Sequence, residues 1–293
     1  MRIAIGIATT GRREQMHATL AQIALQQLQP ERVYVCPAHD DDFDETAART
    51  VCRNLTVVRA PKGSCSQRNG IIRAATDIDV MVFMDDDFYP AADYLLEVKR
   101  LFESSSDLMV ASNHPEVDGA AGPGISHAVA LQILAAMRPL TASESRSYRT
   151  FGAYGCNMAV RLEPVRAHGI WFDERMPLYG WLEDLDFSRR VALHGRLIEA
   201  PTLRGVHLAI KSGRTQGIRL GYSQVANPIY LVRKGTMTSA YACRQVARNV
   251  AKNIARSIWP ESWVDRRGRL LGNLIGFRDW ALRRLDPANI VNL

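Results

Sequence analysis

The 293-residue chain is poor in cysteine. Its five, Cys36, Cys52, Cys65, Cys156 and Cys243, are odd in number, scattered and without a C-x-x-C pair. That argues against a disulfide framework or a Cys-built zinc site and suits a reducing compartment, the cytosol. Long apolar runs are lacking as well, since none approaches the ~18 residues that a spanning helix needs. Met1 to Thr9 is apolar but short, with no small-residue cleavage site before Gly11-Arg12-Arg13, so it reads as a first strand and not a signal peptide. No internal repeat is visible. Net charge is nearly absent from most of the chain. Of the formal +7, ten Lys/Arg and four Asp/Glu between Ala240 and Leu293 supply +6, leaving +1 for everything before them. A balanced body argues against wrapping in nucleic acid, while a basic tail suits an anionic surface.

What is there is an ordinary globular composition, 47% apolar and 23% charged. Buried-strand runs alternate with helical spacing. Arg2 to Ala8 reads as a first strand, Glu14 to Gln29 as a helix, Arg32 to Cys36 as a second strand and Asn54 to Arg59 as a third. A Gly/Ser loop from Gly63 opens a helix to Ala75, and Asp79 to Met84 is a fourth strand. Further on come a helix from Pro90 to Ser104, a strand at Leu108 to Ser112 and a Gly/Pro-rich loop from His114 to Gly124. A helix at Ser126 to Met137, a strand at Gly155 to Arg161 and a short helix at Glu163 to His168 follow. The body ends with a helix at Trp181 to His194 and strands at Leu197 to Ala200 and Arg204 to His207. This alternation predicts an α/β, Rossmann-like, mostly parallel sheet flanked by helices.

Beyond Lys211 the character changes. Val246, Val250, Ile254 and Ile258 repeat every four residues, and so do Arg244, Arg248, Lys252 and Arg256, offset by two. On a helix the two stripes fall on opposite faces. A second amphipathic piece runs from Leu270 to Leu285. The expected division is therefore a catalytic domain at 1–215, with halves 1–112 and 113–215, and a basic helical extension at 216–293.

Four groupings carry chemistry. The apolar run V-M-V-F-M from Val80 ends in Asp85, Asp86 and Asp87. By itself such a triplet is equally a solvated turn. At the carboxyl end of a buried strand, where open α/β sheets place ligands, it could hold a divalent cation on a phosphate. Lys62 to Gly70 is a small-residue loop opening a helix, with Arg68 adding charge, suited to an anion or simply a capped surface helix. Trp181-Leu182-Glu183-Asp184-Leu185-Asp186 sets carboxylates beside an aromatic at a helix start, where acids also serve as caps. His207 ends a strand and gains weight only beside a suspected metal.

In this order, the residues resemble the family 2 inverting glycosyltransferases of the GT-A fold, over roughly Arg2 to Lys211. The opening strand and turn, I-A-I-G-I-A-T-T-G-R, look like the family's. So do the loop ending in Arg68, Asn69 and Gly70, the D-x-D element at Asp85 to Asp87 and the strand with Gly155, Asn157 and Met158. Phe172-Asp173-Glu174, then Gly180, Glu183, Asp184, Asp186 and Arg190, complete the pattern before His207.

The resemblance implies transfer of a sugar from a nucleoside-diphosphate sugar, a UDP-sugar in the first instance, with Mn²⁺ or Mg²⁺. The acceptor would be a glycan or a polyisoprenyl-linked sugar, in surface polysaccharide assembly. Ala8 and Thr9 would line the nucleoside pocket and Asp85 would reach the ribose. Asp86 and Arg68 would serve the donor, and Asp87 with His207 the metal. Asp184 would be the general base, with Trp181 and Glu183 on the acceptor side. The family often has an early Asp after its second strand. Cys36-Pro37 stand there instead and the acidic run begins at Asp40, which leaves the nucleotide base open. The basic helices suit a cytoplasmic protein peripheral at the inner membrane face. Two alternatives are a nucleotidyltransferase on a similar sheet, and a membrane- or nucleic-acid-binding module acting through the tail.

Overall fold

The structure, a computed structural model, describes residues 1–212 and 216–293. The boundary expected at 215 lies outside the described residues. The chain forms two compact units. The first comprises Met1–Lys62, Ser66–Trp171 and Phe187–Gly213, and the second Gly63–Cys65, Phe172–Asp186 and Arg214–Leu293.

The strands of the first unit are β1 (Ile3–Thr9), β2 (Arg32–Pro37), β3 (Leu55–Val57), β4 (Val80–Asp85) and β5 (Phe88–Pro90). After them come β6 (Leu108–Ser112), β7 (Val117–Asp118), β8 (Tyr148–Arg149), β9 (Asn157–Arg161), β10 (Arg196–Glu199) and β11 (Gly205–His207). Its helices include α1 (Arg13–Ile23), α2 (Glu45–Val51), most of α3 (Ser64–Ala74), α4 (Tyr94–Glu103), α5 (His127–Ala135) and α6 (Leu162–Ala167). The helix α7 (Glu183–Val191) begins in the second unit, which also holds α8 (Gly217–Lys234), α9 (Ser239–Ile258) and α10 (Arg266–Ala281).

Eight strands form one mixed sheet in the order β3-β2-β1-β4-β9-β6-β10-β8. The run from β3 to β4 is parallel, and β9 enters antiparallel between β4 and β6. β1 and β4 are apolar along their length because both faces are covered; Ile5, Ile7, Val80, Val82 and Phe83 are fully buried. The β1/β4 register pairs Ala8 with Asp85, which brings the polar ends of both strands together at one edge of the sheet. This is the carboxyl-end crevice in which open α/β sheets hold ligands.

A second, three-stranded sheet, β5-β11-β7, is the main departure from the sequence reading. Phe88–Pro90, expected to lead straight into a helix, is a strand, and the helix starts only at Tyr94. The loop expected at His114 to Gly124 contains β7, paired with β11. Its glycines serve close approach: a Cβ on Gly119 would collide with the carbonyl of Leu208. The first helix ends at Ile23, short of Gln29, and buried Gln26 bonds the chain ahead of and within α4 through Ala91 O at 2.7 Å and Leu95 N–H at 3.0 Å.

In the extension expected to be helical, α8 is the helix that no apolar periodicity had delimited. Ser223, Gln224, Asn227 and Pro228 interrupt its apolar pattern, and all four are buried. Among the described residues no helix is long and apolar enough to cross a membrane.

Candidate functional site

The small sheet assembles an acidic centre. Antiparallel pairing of β11 with β5 sets His207 opposite Phe88, next to Asp87, and parallel pairing with β7 sets it opposite Asp118. His207 Nε2 lies 3.3 Å from Asp87 Oδ1 and 3.9 Å from Asp85 Oδ2. Its Nδ1 lies 2.9 Å from Asp118 Oδ1, and Tyr154 donates its hydroxyl to the other Asp118 oxygen at 2.8 Å. Asp85, Asp87 and His207 each offer a ligand atom within 4.8 Å of the others. A carboxylate on the outer nitrogen is the usual way to orient a metal-binding imidazole.

Asp87 and Asp86 have different surroundings. Asp87 is 1% exposed. Its Oδ2 accepts from the Ile210 N–H at 2.8 Å and from Arg12 at 3.1 Å, and its carbonyl accepts from Leu208 N–H at 2.9 Å. Oδ1, also buried, has His207 Nε2 as its near polar neighbour, at 3.3 Å. That oxygen is aimed at the His207 and Asp85 ligand atoms. Two carboxylates and an imidazole are a donor set that Mn²⁺ or Mg²⁺ accepts, so the residues fit a divalent ion.

Asp86 points away from that cluster. It accepts from Thr9 Oγ1 and from Arg12, each at 2.6 Å, while Thr19 Oγ1 bonds its carbonyl at 2.6 Å. Arg12 also holds Ile210 O at 2.8 Å and Ser212 O at 2.9 Å. One guanidinium thus ties the end of β1, the acidic triplet and the segment after β11.

The charges respond accordingly. Burial pushes the Asp86 carboxyl up to about 6, against the attraction of Arg12. Burial also works against ionising Asp87, but the hydrogen bond and charge of His207, with Arg12, bring it below the ordinary range. Burial opposes a charge on His207. Hydrogen bonds to Asp118 and Asp87, and the charges of Asp87 and Asp85, outweigh it and hold the imidazole up to about 10. Asp118 falls to about 2, burial being overcome by His207. Without a cation the cluster therefore balances itself through a protonated histidine, which a metal would have to displace as a proton.

The remaining residues singled out by sequence take these places. Ala8 is partly buried at the end of β1 between Cys36 and Asp85, and Thr9 is buried. Arg68 is 4% exposed and reaches Asp85 at 3.3 Å and the Gly155 carbonyl at 3.2 Å. In the second unit, the Ser64 N–H that opens α3 bonds Leu178 O at 2.8 Å, and the Ser64 hydroxyl reaches buried Glu183 at 3.3 Å. Asp184 is partly buried, its Oδ1 accepting from the Leu185 N–H at 2.7 Å. Trp181 is partly buried, its carbonyl bonded by Asn227 at 2.7 Å. Fully buried Asp186 is held by Lys234 at 2.8 Å and Thr236 at 2.9 Å.

Leu178 and Leu182, on either side of Gly180-Trp181, have φ of 60° and 74°, and Ala209, just past His207, has φ of 54°. Side chains rarely adopt these angles, and such positions collect at functional sites.

Arg12, Asp118 and Tyr154 escaped the sequence reading. Arg12 had a signal: three adjacent carboxylates demand positive charge, and Gly11, with φ of 64°, makes the turn that presents the next side chain. Asp118 had none, because its loop was read from its glycines and proline.

No protein-family model matches the sequence, and no curated protein sequence matches it. Solved structures do match in fold. A mannosyltransferase from Pyrobaculum calidifontis, in complex with GDP-Man and Mn²⁺, aligns with a TM-score of 0.58 at 18% identity, over 99% of this chain and 85% of that one. S. aureus TarS 1-349 in complex with UDP-GlcNAc aligns at 0.58 and 14% identity, over 95% and 81%. GalNAc-T7 with UDP, GalNAc and Mn²⁺ aligns at 0.59 and 13% identity, over 97% and 57%. A further structure of TarS is matched over only 40% of its length. The chain therefore has the GT-A fold, as the resemblance of its ordered motifs implied.

Proposed function

We propose that this GT-A chain is a metal-dependent inverting glycosyltransferase of the family 2 kind, taking a nucleoside-diphosphate sugar as donor. The observation that carries the reading is the cluster at the end of β4, where Asp85, Asp87 and His207 each turn a ligand atom to within 4.8 Å of the others. The bound Mn²⁺ and nucleotide sugars of the structures with the same fold support it. Those donors carry uridine in some cases and guanosine in another, so the base stays open here, as Cys36-Pro37 already suggested.

Asp85, Asp87 and His207 would hold Mn²⁺ or Mg²⁺, which when bound neutralises charge on a departing diphosphate. Asp118 keeps the His207 ring in its working orientation. Ala8 and Thr9 border the nucleoside, and Arg68 steadies Asp85 for a ribose contact. Asp86 and Arg12 are positioning residues that brace the donor end; the engagement of Asp86 with Thr9 and Arg12 favours that role over direct donor contact. Asp184 removes the proton of an acceptor hydroxyl while its oxygen attacks the anomeric carbon. The carbon–oxygen bond to the diphosphate breaks on the opposite face, which inverts configuration. Trp181 and Glu183 shape the acceptor side. The acceptor is a glycan or polyisoprenyl-linked sugar of surface polysaccharide assembly, met by a protein peripheral at the inner membrane face.

Incubating the protein with a panel of nucleoside-diphosphate sugars and Mn²⁺ tests the reading. Release of nucleoside diphosphate supports it. Pyrophosphate release from a nucleoside triphosphate would make the chain a nucleotidyltransferase instead. Asp87→Ala should abolish the Mn²⁺ dependence of nucleotide binding in a thermal-shift titration and lower transfer by at least ~10²–10³-fold.

A further inference from the structure

The second unit is built the opposite way from the first. Where α10 meets α8, its inward positions are Gly268, Gly272 and Gly276, four residues apart, and α8 carries Gly217 and Gly221 at the same spacing. A Cβ on Gly221 would collide with the Arg269 carbonyl, and one on Gly272 with that of Ile218. The helices thus touch backbone to backbone.

Alongside buried Val225 and Ala226, a polar network joins the three helices. Buried Asn253 of α9 donates to Gln224 at 2.8 Å and Asn273 at 2.9 Å, and Asn273 donates to the Gly221 carbonyl at 2.7 Å. Arg266 adds a 3.2 Å bond to Asn253. Small residues at the crossing and polar groups joining the helices are how helices pack in lipid, where no apolar core drives them together.

The large apolar side chains point outward instead. On α10, Leu271, Leu274 and Trp280 are 51%, 59% and 52% exposed; on α9, Ile254 and Ile258 are 53% and 63% exposed, and Trp259 just after it is 80% exposed. Three of the five tryptophans of the chain, Trp259, Trp263 and Trp280, are exposed in this unit.

The charges complete the pattern. Glu261 pairs with Arg266, Asp279 with Arg278 and Arg284, Asp286 with Arg175, and Asp265 caps the Gly268 N–H. Every carboxylate from Ala240 onward is thereby engaged. Among the described residues, Arg244, Arg248, Lys252 and Arg283 have no ion-pair partner. An apolar and tryptophan-rich face fringed by unpaired cations matches the boundary of an anionic bilayer.

We infer that the outward faces of α9 and α10 form a docking surface for an anionic phospholipid bilayer, with Leu274, Phe277 and Trp259 entering the headgroup boundary and Arg244, Arg248 and Lys252 meeting lipid phosphates. The inference deepens the membrane partner of the proposed function and rests on that part of it. A second copy of the chain is the competing occupant of the same face.

The test is co-sedimentation of the whole protein with phosphatidylcholine vesicles, with and without about one-third phosphatidylglycerol, at about 0.1 M salt. Binding should need phosphatidylglycerol, weaken as salt rises and shift tryptophan emission to the blue. Leu274→Glu, outward and exposed, should weaken partitioning by about tenfold or more, and Arg248→Glu with Lys252→Glu by at least as much. Equal binding by wild type and Leu274→Glu, or no binding by wild type, overturns the inference. So does a wild-type dimer in sedimentation equilibrium that Leu274→Glu converts to monomer. Thermal shift with nucleoside diphosphate and Mn²⁺ is measured on the same samples. Vesicle binding without nucleotide binding would remove the transferase reading alone, and the reverse result would remove the lipid surface alone.

Discussion

The two units bury opposite things. The first buries a continuous apolar core, from Ile3 and Val80 through Tyr94 and Phe102 to Ile198. It admits charge only at one end of the sheet, where Asp86, Asp87, Arg12 and His207 neutralise one another. The second has a small apolar cluster around Tyr222, Ala226, Leu285 and Ile290 and further buried apolar residues such as Phe172, Met176, Val225 and Leu231, but where α8, α9 and α10 meet it also buries glycines, Asn253, Asn273 and Arg266. Burying charge is tolerable in the first because each charge has a partner of opposite sign held at the strand ends or in the turns beside them. In the second, glycines and polar groups fix how the helices cross, and a set of large apolar side chains on α9 and α10 is left outside. One arrangement holds a ligand against a stiff sheet, and the other presents a surface.

The largest expected effect breaks the chemistry while sparing both kinds of packing. Asp184→Asn should lower sugar transfer by ~10²–10⁴-fold, the range for losing a general base. Affinity for nucleoside diphosphate and Mn²⁺ should stay as in wild type, because the metal cluster is made by Asp85, Asp87 and His207. Retained transfer in a coupled assay of diphosphate release would exclude Asp184 as the base.

Next in size is an attack on the glycine crossing. Gly272→Leu forces a side chain into the α8 backbone at Ile218. Overpacking costs ~1–3 kcal/mol, and backbone yields less readily than side chains, so the upper end is expected. A fall in the melting temperature or midpoint of unfolding measures it. An unchanged midpoint would mean that the helices do not cross in this way.

Smaller again is Asp118→Asn, which sharpens the account of the acidic end. The amide keeps the shape but removes the charge that holds His207 Nδ1 at 2.9 Å. Mn²⁺ affinity should drop by ~10–100-fold, the usual cost of losing the partner behind a metal-binding histidine. A direct Mn²⁺ titration of the free protein reads this without any sugar substrate, and an unaltered affinity would remove Asp118 from the site.

The sequence disclosed the two units unequally, for reasons visible in these residues. The strands of the first were legible because a sheet covered on both faces writes unbroken apolar runs such as Val80 to Met84. Asp85 to Asp87 stood out because three carboxylates end a buried strand, where an open α/β sheet places its ligands. Arg12, in a turn, and Asp118, in the two-residue strand β7, were missed because segments so short carry no periodicity that reports what a side chain will meet. The helix α8 lies in the extension expected to be helical, but its bounds were not legible, because its buried face contains Ser223, Gln224, Asn227 and Pro228 and the apolar stripe that marks a helix is broken. On α9 the apolar stripe was seen, but its meaning differs from a core-facing one. Ala242 and Asn253 are buried, while Ile254 and Ile258 face outward.

That inversion yields the smallest expected effect and the finest test of the contrast. A fully buried phenylalanine such as Phe83, packed edge-on against Phe187, loses ~3–5 kcal/mol when cut to alanine. Phe277 sits in an apolar stretch of similar look, yet it is 36% exposed on the outer side of α10. Phe277→Ala should therefore change stability in solution by no more than ~0.5 kcal/mol, the range for surface substitutions. Alanine also favours the helix, which works in the same direction. Denaturant unfolding of the two variants side by side decides the matter. A loss for Phe277→Ala close to that of Phe83→Ala would mean that the outer face of α10 is covered in solution, and the second unit would then be an ordinary core turned toward a partner.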